Sequence, residues 1–170
     1  MDAGSQLRIV VGVNGSPSSL AALRWAAGEA RLRGVHLHVV SVWDHTQRRI
    51  APYARLNGRL TPSQERTAAR TRLATTVRAA FGTEAPAGII TELAEGLVAR
   101  VLLDRAADAE MLVLGASAPR PHGGQTARPV ARACLGQARC PVVVVSAASR
   151  AGPDDAEPRE HGRATVTAPK

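Results

Sequence analysis

Aromatic residues are almost absent. They make up 2% of the 170 residues, so a core has to be assembled from Val, Leu, Ile and Ala, which a hydrophobic content of 45% can supply. Cysteine is nearly as scarce: Cys134 and Cys140 make a poor disulfide framework and match no metal spacing. A reducing cytosol would keep both as thiols, and they read as small core hydrophobes. No apolar run approaches the ~20 residues that a membrane span requires. The opening MDAGSQLR lacks the basic segment and following apolar stretch of a secretory signal, and a cytoplasmic protein is expected. Lysine is missing too, Lys170 being the sole one, so arginine carries a net charge of +8. No aromatic-studded strand or recognition-helix pattern accompanies that charge. An Ala- and Arg-rich chain is what a GC-rich genome produces unaided, so nucleic acid is not an expected partner, nor is a membrane.

What is present points to one domain, the default for 170 residues. RIVVGV at 8–13 is a β-branched run that reads as a buried strand. Ser16 followed by Pro17 opens a helix, since the serine oxygen can cap free amides and the proline sits where its missing N–H costs nothing. Leu20, Leu23, Ala27 and Ala30 then share a face, and Gly34 stops the helix before a second strand, VHLHVVSVW at 35–43. From Asp44 to Leu60 the chain is Arg-rich and aperiodic, a mobile connection. TPSQ at 61–64 spells a capping box with Pro at the first helical position, predicting a helix to about Phe81. GIITEL at 88–93 is a third strand, and Leu97, Val101 and Leu102 mark a helix ending near Ala107. MLVLGA (111–116) and PVVVVS (141–146) are strands four and five, with a helix from about Pro129 to Gln137 between them.

This alternation predicts an α/β fold: an open five-stranded parallel sheet with helices on both faces, Rossmann-like, spanning residues 1–148. Ligands of such sheets bind beyond the strand C-termini. Residues 149–170 are polar and aperiodic and are expected to be a disordered tail. An apolar last strand at a sheet edge seeks a partner, so a homodimer through the segment between Pro141 and Ser146 is expected.

The stretch IVVGVNGSPSSLAALRWAAGEARLRGVHLHVVSVW, with MLVLGA and the closing CPVVVV, resembles the universal stress protein family over about residues 7–146. The resemblance implies an adenine-nucleotide α-hydrolase-like fold, often dimeric through the last strand, in which some members bind ATP and others do not. It places the nucleotide site at Val13, Asn14, Val42, Gly115, Ala118, Arg128, Pro129 and Val130. In ATP-binding members an Asp follows the first strand and meets the nucleotide; that position is Asn14. The family's phosphate motif, G-x2-G-x9-G-[S/T], begins at Gly115, but its second glycine is Ala118 and its final pair is Arg128-Pro129. Pro129 deletes a hydroxyl and a backbone N–H, and a lost charge-assisted bond costs roughly 1.5–3 kcal/mol, about ten- to a hundredfold in affinity. Arg128 fills the space of a phosphate or binds it as a cation.

Other candidates are weaker. His36 and His38 point to one face of a strand, as metal ligands do, but no Cys or carboxylate is visibly spaced to join them. His122 reads as a loop histidine, Glu92 and Glu95 are too slight a signal for acid–base catalysis, and Arg66, Arg70 and Arg78 are the wet face of a helix. Neither a P-loop nor a hydrolase elbow is present. The expectation is a non-enzymatic stress-response module without a metal, acting through an unidentified protein partner, with ATP binding weak or lost. The alternative is an ATP-binding member in which Arg128 holds the phosphates.

Overall fold

The structure is a computed structural model that describes residues 7–43, 61–83, 85–116, 129–147 and 164–167. Five parallel strands alternate with four helices: β1 (Arg8–Val13), α1 (Pro17–Arg33), β2 (His36–Trp43), α2 (Pro62–Phe81), β3 (Ile89–Glu95), α3 (Val98–Arg105), β4 (Met111–Gly115), α4 (Pro129–Gln137) and β5 (Val142–Val145). A sixth strand, β6 (Ala164–Thr167), follows, and the sheet order is β3-β2-β1-β4-β5-β6. The order reverses between β1 and β4, the point at which an open α/β sheet parts to admit a ligand.

Local chemistry sets the helix ends. Thr61 caps α2 by accepting from the Gln64 N–H at 3.3 Å, while the Gln64 Oε1 accepts from the Thr61 N–H at 2.8 Å. This is the reciprocal box that the TPSQ spelling predicts. Ser16 caps α1 in the same way, its Oγ accepting from the Ser19 N–H at 3.2 Å. At the other end Gly34 turns left-handed at φ 67°, and the Val35 N–H donates back to the Ala30 carbonyl at 3.0 Å.

Side chains alternate across the strands and build two cores. Ile9, Val11, Val13, Leu37, Val39 and Val113 bury against α1 and α2. Val10, Val40, Leu112 and Leu114 bury against α3 and α4, with Cys134 and Cys140 as fully or nearly fully buried thiols among them. Of the face expected from Leu20, Leu23, Ala27 and Ala30, Leu23 and Ala30 are buried, and Ser19, Ala22 and Ala26 complete the buried stripe of α1. The stripe is rotated so that it includes Ser19, whose hydroxyl is satisfied inside the first turn by donating to the Ser16 carbonyl at 2.9 Å.

The tail and the last strand differ from expectation. Residues 164–167, within the stretch expected to be disordered, form β6, which pairs antiparallel with β5 from Val142 opposite Thr167 to Val145 opposite Ala164. In consequence β5 is not an edge: the surface through which a dimer was expected, between Pro141 and Ser146, already has a strand on it. The expected connection at 44–60 lies outside the described residues.

Candidate functional site

At the β1/β4 reversal a cavity of about 170 Å³ opens on the α3–α4 side of the sheet. Val40 and Val42 of β2, Val98 and Leu102 of α3, and Leu114 of β4 give it apolar walls, with Val130 and Ala131 of α4 closing one side. Gly12 lets Leu102 and Leu114 close over β1 at the cavity floor, since a Cβ there would sit 3.0 Å from Leu114 Cδ2 and 3.1 Å from Leu102 Cδ1. The larger hollow between α1 and α2, about 460 Å³ and bordered by Leu20, Arg72 and Thr76, is a groove on the other side of the sheet that reaches Gly15 of the β1–α1 turn.

The polar rim of the cavity is the β1–α1 turn. Asn14 Oδ1 accepts from the Ser16 N–H at 3.0 Å, an Asx turn that Gly15 completes at φ 81°. The Asn14 N–H donates to Ser19 Oγ at 3.4 Å, and the Ser19 hydroxyl donates to the Ser16 carbonyl at 2.9 Å. Ser16 Oγ and Ser18 Oγ share a further bond at 3.1 Å. The carboxamide oxygen of Asn14 and the serine hydroxyls therefore lock the turn together. That leaves the Asn14 amide NH2 as a donor at the cavity rim.

Of the residues that the sequence pointed to, Val13, Asn14, Val42, Gly115 and Val130 line this one cavity, and Pro129 is the first residue of α4 beside it. Ala118, Arg128 and His122 lie outside the described residues. Gly115 has a packing reason to be glycine that the phosphate motif does not supply. A Cβ on it would come within 2.5 Å of the Ser18 carbonyl carbon and 2.6 Å of the Ser19 nitrogen, so the end of β4 touches the backbone of the first turn of α1. Gly12, Val40, Leu102 and Leu114 were not assigned to the site beforehand. The period-two partnership of Val40 with Val42 was the available signal.

A second polar group stands toward the other end of the strands. His38 Nε2 lies 2.9 Å from Glu92 Oε2, and Arg105 grips the same carboxylate with its Nε and a terminal nitrogen at 2.6–3.0 Å. The sequence reading found no carboxylate to join the histidines. Glu92 comes from β3, whose register sets it opposite Val40, two residues along from His38. Burial holds His38 below its ordinary pKa against the opposing pull of Glu92. Arg105 holds the Glu92 carboxyl below the usual carboxylate range. Arg8 reaches the Arg105 carbonyl at 3.2 Å, and its own Nε is buried without a partner. This is an inter-element tie, and no group of three or more metal-ligating side chains occurs among the described residues.

A parallel α/β sheet with an apolar cavity at its reversal point defines a small-ligand-binding class of fold. A family model described as the universal stress protein family matches residues 7–146, and the chain belongs to that family. Solved structures agree. A universal stress protein from Archaeoglobus fulgidus is 27% identical, with a TM-score of 0.61 over 81% of this chain and 97% of its own. A universal stress protein structure from the same organism in complex with dAMP is 27% identical, with a TM-score of 0.56 over 81% of this chain and 96% of its own. The universal stress protein UspA from Lactobacillus plantarum shares the fold at 22% identity, with a TM-score of 0.60 over 82% and 97% of the two chains. No helix among the described residues is long and apolar enough to cross a membrane.

Proposed function

We propose that this chain is a non-enzymatic stress-response module that works through contacts with other proteins, and that its cavity receives the base of an adenine nucleotide while gripping a triphosphate weakly. The observation that carries this reading is the opening of α4, where Pro129 occupies the first helical position. A helix start offers free N–H groups to an anion, and here one of them is missing. The walls of Val40, Val42, Leu102 and Leu114 suit a flat apolar ring, and the Asn14 amide supplies a polar donor at the rim. The complex of the 27% identical relative with dAMP supports an adenine base carrying one phosphate as the ligand type.

The non-enzymatic part rests on the lining. The described cavity wall contains Asn and Ser as its polar side chains and no His, Cys, Lys or carboxylate. Hydrolysis or phosphoryl transfer calls for a base or water-orienting group and for metal ligands.

Isothermal titration of ligand-free protein with Mg-ATP and with AMP tests the proposal. ATP is expected to bind no more tightly than AMP, because Pro129 removes a backbone donor at the start of α4. Low-micromolar ATP binding that exceeds AMP binding contradicts it. If Arg128, the residue just before α4, instead supplies the charge, that affinity is present and Arg128→Ala removes it.

A further inference from the structure

The hollow between α1 and α2 lies across the sheet from the cavity and is lined differently. Leu20 of α1 with Ala68 and Ala79 of α2 gives it an apolar floor, Thr71 and Thr75 add hydroxyls, and no carboxylate is among its lining residues. One stripe of α2 supplies most of this wall, since positions 68, 71, 72, 75 and 79 share a helix face. From Ala68 to Ala79 that stripe is about 16 Å long, the length of three helical turns.

The groove is built before anything enters it. Arg24 of α1 donates from a terminal nitrogen to the Ala79 carbonyl at 2.7 Å. That carbonyl is among the last four of α2, which lack an intrahelical partner, so the bond ties the two helices together. Closer to the strand ends, the stem of Arg72 lies over Gly15: a Cβ on that glycine would sit 3.0 Å from Arg72 Cγ and 3.1 Å from its Cδ. A wall fixed in this way loses little freedom when a partner settles on it.

Charge on this face is one-sided. The helices α1 and α2 carry seven arginines against Glu29 and Glu65, whereas α3 and α4 carry three against Asp104. Glu29 is taken up by Arg33 at 3.1 Å and does not screen the groove. Arg72 and Arg78 are exposed, and among the described residues neither guanidinium has a carboxylate partner. Arg78 stands three residues beyond Thr75, on the groove's border. We propose that this groove docks an acidic amphipathic helix of a partner protein, about three turns long, whose apolar side chains rest on Leu20, Ala68 and Ala79 and whose carboxylates meet Arg72 and Arg78. The proposal rests on the reading of the chain as a module that works through protein contacts, and it names the surface and chemistry of that contact. The apolar floor favours a peptide over a nucleic acid, whose phosphates would leave Leu20 and the two alanines uncovered.

Selection from a displayed library of peptides about 16 residues long, against nucleotide-free full-length protein, tests this. The recovered pool is expected to be rich in Asp and Glu, with apolar residues recurring at helical spacing. The most frequent peptide, made synthetically, should lose about tenfold or more in affinity toward Arg72→Glu, read by fluorescence anisotropy at about 0.15 M salt. Arg78→Glu repeats that loss at a residue away from the β1–α1 turn, and Thr75→Trp, which fills the groove without altering charge, should match it. Arg100→Glu makes the same charge change on an exposed residue of α3 and should cost below about twofold. A pool without acidic bias, a peptide that binds the Arg72 and Arg78 variants as well as wild type, or one that Arg100→Glu weakens equally would each overturn the proposal. So would recovery of no peptide at all, and duplex DNA binding that Arg72→Glu removes would then assign the face to a polyanion. Nucleotide is absent throughout, so the outcome does not depend on what the cavity binds.

Discussion

The two faces of the sheet are covered by helices of very different length. On one face lie α1 and α2, of 17 and 20 residues; on the other lie α3 and α4, of 8 and 9. The long pair packs a layer against the sheet in which Ile9, Leu23, Val39 and Val113 are fully buried, and the hollow of about 460 Å³ lies outside that layer, between the two helices. The short pair leaves a hollow above Gly12, bordered by Leu102 and Leu114. Close packing and ligand capacity are thus divided between faces. One stabilises the domain, and the other stays incompletely filled where β1 and β4 part.

The division is tested most severely by deleting buried volume on each face. Leu23→Ala in the closed core should lower unfolding free energy by roughly 2–5 kcal/mol, the usual range for a buried leucine. Val98→Ala, on the half-buried wall of the hollow, should cost below about 1 kcal/mol because that side chain has an open side already. Urea titrations of the two variants check the contrast, and equal losses would mean that the hollow is as tightly packed as the opposite core.

Next in size is Gly115→Ala, at the seam where the two faces meet. Its Cβ would lie 2.5 Å from backbone of α1, and backbone cannot swing aside as a side-chain tip can. Overpacking of this kind costs typically about 1–3 kcal/mol. The displacement moves the serine turn at the cavity rim as well. The variant should therefore lose both urea stability and whatever nucleotide affinity the wild type shows, whereas Val98→Ala should change affinity with little loss of stability.

How far the sequence foretold all this depends on the reach of each interaction. The capping box of α2 and the Ser16 cap of α1 were legible because each closes within three residues. The valine-rich strands announced the parallel sheet, and five of the eight residues marked for the site line its cavity. The rotated stripe of α1 was misread because Ser19, polar by type, is buried at 3% exposure through bonds to its own turn. The tie of His38, Glu92 and Arg105 joins two strands and a helix, so no local spacing could reveal it. β6 was missed because four residues, ATVT, inside a polar stretch are too short for a periodic signal.

That long-range tie gives the comparison a pH dependence. The histidine lies on the α3 side and its folded pKa is held below the ordinary 6.5. Between those two values the unfolded chain binds more protons, so stability that is complete above pH 6.5 declines as the pH falls through the window. Glu92, held below 4.5, works in the same sense: its contribution is present above 4.5 and is lost on further acidification. The urea midpoint should be flat above about pH 7 and fall in two steps, one below 6.5 and one below 4.5. Glu92→Gln should cost about 1–2 kcal/mol near neutrality, toward the lower part of the range for charged hydrogen bonds because the Arg105 side chain is 42% exposed. It should abolish the lower step and deepen the upper one, since His38 loses the neighbour that favours its charged form. A midpoint that does not move between pH 7.5 and 5.5 would refute the burial of His38.

The smallest effect concerns whether the hollow face is loose or merely concave. Cys134 and Cys140 sit on that face, both buried, and burial pushes the Cys134 thiol up to about 11. A thiol with that pKa is roughly one part in a thousand thiolate at pH 8, and the thiolate is the reactive form. If the short helices pack firmly around the cavity, an aromatic disulfide reagent should modify neither cysteine faster than the domain opens, and denaturant should accelerate labelling by about a hundredfold or more. Leu23→Ala should speed labelling only in proportion to its loss of global stability, because it lies across the sheet. Rapid labelling of the untouched native protein would place the flexibility in α3 and α4 themselves, and the division of labour between a rigid face and a receptive one would then be a difference in dynamics as well as in shape.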